Sequence, residues 1–222
     1  MKIARILSLV FVLCPLTAGA AERVIDLDPQ TQVRTWVITP RNSGLSPSPL
    51  AILIPAGSGK EFVVKAQFWL GKQLNRRGWA VALPVDSQGR DLLTDNQGYL
   101  EKVIDEIQAD EAITPGRTLL VGISSGGTSA LEIAARKPTN YYGVVAVPGK
   151  LNEDWQVPDL DGLRVFLRIG ENDKFRWNKQ LEAITGSLQN AGAQVDSALV
   201  PNARHIFKLD WTELDIWLQT IR

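Results

Sequence analysis

Six short, near-continuous apolar runs recur through this chain of 222 residues, at 50–54, 79–83, 118–121, 143–147, 165–169 and 197–200. A strand with one wet face alternates polar and apolar residues, whereas a strand that is apolar throughout must be covered on both faces. The coverings are legible between the runs, as amphipathic patterns near 61–77, 97–109, 125–137, 178–191 and 211–221. Gly78 and Gly192 stand where helix C-caps are expected. Strands joined by segments of helical length need right-handed crossovers, which make neighbouring strands parallel. Two alternating, β-branched patterns at 24–27 and 33–39 come first and read as a hairpin. The expected fold is α/β: a mainly parallel sheet of about eight strands flanked by helices, with its first pair antiparallel.

The chain opens on a different pattern. Lys2 and Arg5 flank an apolar run at 6–16 that is too short to span a bilayer, and Ala18-Gly19-Ala20 has the small-residue spacing of a cleavage site. Residues 1–20 are therefore expected to be a signal peptide, with 21–222 forming one domain of a periplasmic or secreted protein. The single cysteine, Cys14, lies in that leader, which leaves no thiol, disulfide or cysteine ligand behind it. Removing Lys2 and Arg5 leaves 22 basic residues against 24 acidic ones, a formal charge of −2. That balance gives no reason to expect a nucleic-acid partner. There is no second apolar run of membrane length, so no stable membrane insertion is expected.

The segment at 120–127 carries the chemistry. A buried strand runs into Gly122-Ile123-Ser124-Ser125-Gly126 and then into a helix. A serine on so sharp a turn needs glycine two residues before and two after it, which selects Ser124; around Ser125 the first of those positions is Ile123. A serine hydroxyl needs a base, and the chain has one histidine, His205, on the loop after the last strand. The acid that orients such a base is expected at the end of an intervening strand. Asp173, in Gly170-Glu171-Asn172-Asp173, fits that place, with Glu171 its rival; Asp159 and Asp161 precede the strand and read as turn residues. Gly57-Ser58-Gly59-Lys60 is not a phosphate loop, because Ile54 and Glu61 occupy positions that such a loop gives to glycine and to serine or threonine. With one histidine and no cysteine after the leader, no metal and no cofactor are expected.

These motifs, with Arg204-His205-Ile206-Phe207 and the segment 77–86, make the chain resemble a small α/β-hydrolase of the dienelactone-hydrolase-like branch. The resemblance spans residues 21–222 and departs from dienelactone hydrolases proper in having Ser124 where they have a nucleophilic cysteine. It implies an oxyanion hole formed by the backbone N–H of Ser125 and by one from the loop at 55–60, with Ser58 the expected donor although Ala56-Gly57 replaces a more usual His-Gly. Only about fifteen residues separate Val147 from Leu163, too few for a lid domain, so an open site is expected. Trp155 and Trp177 are candidates for its walls, against the plainer reading of packing under a loop, and Asp86 and Arg90 are either rim or turn residues.

The function expected is an exported serine hydrolase that cleaves carboxylic esters, small or polymer-borne, through Ser124, His205 and Asp173. A peptidase or amidase using the same residues is an alternative. So is a non-catalytic binding or accessory protein on the same scaffold.

Overall fold

The computed structural model describes residues 21–40, 47–54, 69–85 and 98–222. Eight strands form one sheet in the order β1-β2-β4-β3-β5-β6-β7-β8: β1 Ala21–Asp28, β2 Thr31–Ile38, β3 Ser48–Ile54, β4 Ala80–Val85, β5 Ile113–Gly122, β6 Tyr141–Ala146, β7 Arg164–Gly170 and β8 Gln194–Val200. From β4 to β8 every pairing is parallel. The hairpin expected at the start is present, and β2 also pairs antiparallel with β4, so the antiparallel part extends one pairing further into the sheet.

Among the described residues, five α-helices accompany the sheet: α1 Trp69–Arg76, α2 Tyr99–Gln108, α3 Ser125–Arg136, α4 Leu181–Asn190 and α5 Trp211–Thr220. Of the first helical pattern, 61–68 lies outside the described residues. The expected C-cap glycines adopt left-handed conformations, with φ 87° at Gly78 and 98° at Gly192. Beyond them, Trp79 N–H reaches back to Leu74 O at 3.2 Å and Ala193 N–H to Leu188 O at 3.0 Å, closing the Schellman pattern that ends each helix.

Apolar runs cover both faces because successive residues point opposite ways. Leu50, Ile52 and Ile54 join Val103, Ile107, Leu131 and Leu188 in one buried cluster, on the side of α2, α3 and α4. Ala51 and Leu53 join Leu74, Leu214 and Trp217 in a second, on the side of α1 and α5. Phe166 on β7 points the second way, as does Arg168, which is buried and stacks 3.8 Å from the Phe166 ring centroid. The Arg168 guanidinium donates to Asp196 O at 3.0 Å on β8 and to Glu213 Oε2 at 3.1 Å on α5. One side chain thus ties together the two elements between which the His205 loop is strung. Between β6 and β7, residues 147–163 contain turns and no helix, so no lid is built there.

Candidate active site

The site lies where the C-terminal ends of β5 and β7 meet the loop after β8, the edge at which parallel α/β sheets place ligands. At the end of β5 the chain turns into α3 through Ser124, whose φ of 57° and ψ of −123° lie in a region side chains seldom adopt. Packing imposes this turn. A Cβ on Gly122 would stand 2.1 Å from Gly126 O, so the strand and the first turn of the helix touch through backbone alone. Ser124 N–H donates to Pro148 O at 2.8 Å and Val147 N–H to Gly122 O at 3.0 Å, which fixes the turn against the segment after β6.

The acid and histidine loops are stitched to each other. Glu171 N–H donates to Val200 O at 3.0 Å and Asn172 N–H to Ala203 O at 2.7 Å. Glu171 Oε2 accepts the N–H of Asn202 at 2.8 Å, and Asn202 itself sits at a left-handed φ of 57°. Gly170 is the close-approach point: a Cβ there would lie 2.1 Å from Arg204 O and 2.7 Å from Ala203 O. The rival acid Glu171 therefore points at the backbone before His205 and leaves the imidazole to Asp173.

Three side chains converge. His205 Nδ1 is 2.7 Å from Asp173 Oδ2, and His205 Nε2 is 2.8 Å from Ser124 Oγ. The second carboxylate oxygen of Asp173 accepts the N–H of Phe175 at 2.7 Å. An ionised carboxylate can only accept, so Nδ1 carries the imidazole proton; in the neutral ring Nε2 is then the acceptor and the Ser124 hydroxyl the donor. Asp173 is 5% exposed and His205 7%, so this relay runs mostly out of water, while Ser124 stays half-buried and reachable. Burial of the pair is tolerable because each polar atom in it has a partner.

Ser125 is the exposed first residue of α3, so its N–H stands at the positive end of the helix dipole. Ser58, Asp86 and Arg90 lie outside the described residues. Trp177 lies beside His205, ring centroids 4.9 Å apart, whereas Trp155 packs half-buried against the first core cluster. Asp159 accepts the N–H of Asp161 at 3.0 Å in a turn that Gly162 completes at φ 77°. Sequence reading passed over Phe175, whose centroid is 4.7 Å from that of His205. The only signal it offered was an aromatic ring two residues after Asp173 in an otherwise polar loop. Among the described residues, no group of three or more His, Cys, Asp or Glu side chains is placed to hold a metal, and no helix is long and apolar enough to cross a membrane.

The model of the esterase family described as "Putative esterase" matches residues 90–221, more than half of the chain. Among solved structures, the dienelactone hydrolase of Anabaena variabilis superposes with a TM-score of 0.66 at 16% identity, covering 91% of this chain and 95% of that one. A serine hydrolase without lid from Xanthomonas campestris gives 0.63 at 18% identity, covering 91% and 93%. Dipeptidyl peptidase 4 of Porphyromonas gingivalis gives 0.68 at 13% identity, covering 92% of this chain and 35% of its own, so the chain spans about a third of that enzyme. A dipeptidyl aminopeptidase IV from Bacteroides ovatus gives 0.71 at 12% identity, covering 91% of this chain and 35% of its own. No curated protein matches the sequence. With the strand order and the matched region together, the chain belongs to this esterase family and has the α/β-hydrolase fold.

Proposed function

We propose that the protein is a serine carboxylesterase with Ser124 as nucleophile, His205 as general base and acid, and Asp173 as the carboxylate that orients the imidazole. The observation that carries this reading is the pair of contacts of 2.7 and 2.8 Å running from Asp173 through His205 to Ser124. In acylation, Ser124 Oγ bonds to the ester carbonyl carbon while its proton passes to His205 Nε2. The carbonyl oxygen becomes an oxyanion, met by the N–H of Ser125 and by a second donor for which Ser58 is the candidate; one such donor contributes about 3 kcal/mol. The tetrahedral centre collapses, Nε2–H protonates the departing alcohol, and the acyl group remains on Ser124. Water, deprotonated by Nε2, then releases the acid and restores the serine.

Membership of an esterase family supports an ester as the substrate. The absence of a helix within 147–163 supports a site open to bulky or polymer-borne esters. The peptidase alternative draws on enzymes of which this chain spans only about a third. Purified protein should hydrolyse p-nitrophenyl acetate or butyrate, and Ser124→Ala should abolish turnover while the thermal transition stays in place. Turnover by the alanine variant would refute the assignment.

Export is proposed on the leader at 1–20. Amino-terminal sequencing of the protein recovered outside the cytoplasm should begin at Ala21, and recovery of the chain with Met1 intact in the cytoplasm would contradict it.

A further inference from the structure

The imidazole of His205 meets two aromatic rings. Phe175 approaches to 4.7 Å and Trp177 to 4.9 Å between centroids, at interplanar angles of 81° and 86°, and the two rings are 6.4 Å from each other. Those three distances put Phe175 and Trp177 at roughly a right angle as seen from the imidazole, so they form a corner rather than a sandwich. Trp177 leans on the core, but Phe175 is 55% exposed and Ile206, the neighbour of His205, is 59% exposed. A ring left as open as Phe175 beside a buried acid–base pair contributes little to the core; it offers apolar surface to whatever enters, with the half-buried Trp177 as the other wall of the corner.

The chemistry of acyl transfer says which half of an ester lies against them. The proton taken from Ser124 must be handed by Nε2 to the oxygen of the departing alcohol, so the alcohol sits on the imidazole side. The acyl group stays with the serine. Resting on the serine-esterase reading, we infer that Phe175 and Trp177 are specificity residues for the alcohol, and that this alcohol carries a neutral aryl or compact apolar group.

Aromatic corners also recognise quaternary ammonium groups, yet here Lys174 Nζ already lies 4.8 Å from the Phe175 centroid and Lys150 Nζ 6.0 Å from that of Trp177. A cationic alcohol would meet like charge on both rings. Glu171, the other carboxylate of this loop, is held by the Asn202 N–H instead.

The test uses acetate esters of alcohols with similar leaving ability. The purified protein should prefer 2-phenylethyl acetate to ethyl acetate in kcat/KM by about tenfold, equivalent to about 1.4 kcal/mol. It should also turn over 3,3-dimethylbutyl acetate faster than acetylcholine, its cationic isostere. Phe175→Ala should bring the first ratio close to one and Phe175→Leu should restore part of it, while the ranking of ethyl esters by acyl length is kept. Equal rates for the two alcohols, a ratio that survives Phe175→Ala, or faster turnover of acetylcholine would overturn the inference alone. A protein that hydrolyses none of these esters, with Ser124 unreactive to a fluorophosphonate, removes the esterase reading and this inference with it.

Discussion

Adding one methyl group at Gly170 is the sharpest way to disturb the site without touching Ser124, His205 or Asp173. In Gly170→Ala the new Cβ would begin 2.1 Å from Arg204 O, and ordinary contact starts near 3.4 Å. The backbone beside His205 must therefore retreat by about 1.3 Å. The contact from His205 Nε2 to Ser124 Oγ starts at 2.8 Å, so much of that retreat along its direction carries it past hydrogen-bonding range. A misplacement of about 1 Å in such a constellation costs on the order of 100-fold in rate. Overpacking of this kind costs about 1–3 kcal/mol in stability, which a domain of this size survives. Hydrolysis of p-nitrophenyl acetate and thermal unfolding, measured on the same preparation, separate the two effects. A folded Gly170→Ala protein with at least half of the parent kcat/KM would refute the argument that this backbone contact sets the position of the base.

Other perturbations have signs fixed by the same geometry. Asp173→Asn should lower kcat by roughly 1,000- to 10,000-fold, because an amide can donate to Nδ1 and favour the wrong tautomer; steady-state kinetics with an unchanged fold checks it. Arg168→Met removes the donors shared by Asp196 and Glu213 and should cost about 1–3 kcal/mol, read as a lower urea midpoint. Burial, and secondarily the charge of Glu101, pushes the Tyr141 hydroxyl up to about 12, against 10.0 for the free side chain. The folded state thus keeps a proton that the unfolded chain gives up, so this contribution is intact below pH 10 and is lost progressively as the pH rises towards 12. Urea unfolding across that window should show a steeper fall for the parent protein than for Tyr141→Phe.

What the sequence made legible was whatever local chemistry dictates. Gly122 is required because its missing Cβ is the space that Gly126 O fills, and that demand is written within five residues. His205 stands out as the proposed base because the chain holds no other histidine. The core strands could be found because both faces are covered, which removes polar residues from them. Strand ends were harder. β5 begins at Ile113, five residues before its apolar run, because Pro115 and Gly116 break the pattern in a stretch that is largely exposed. Phe175 could not be assigned from the sequence, since its meaning depends on two loops 30 residues apart being stitched by Asn172, Glu171 and the gap at Gly170. Likewise the choice between Glu171 and Asp173 rests on which carboxylate faces the imidazole and which caps Asn202, a matter of loop geometry.

The account stands on Ser124 being an activated nucleophile, and covalent labelling reads that directly. A fluorophosphonate probe followed by peptide mapping should place one phosphonyl group on Ser124, at a rate that collapses in His205→Ala. Labelling at another serine, or at Ser124 with equal speed when His205 is gone, would contradict the assignment.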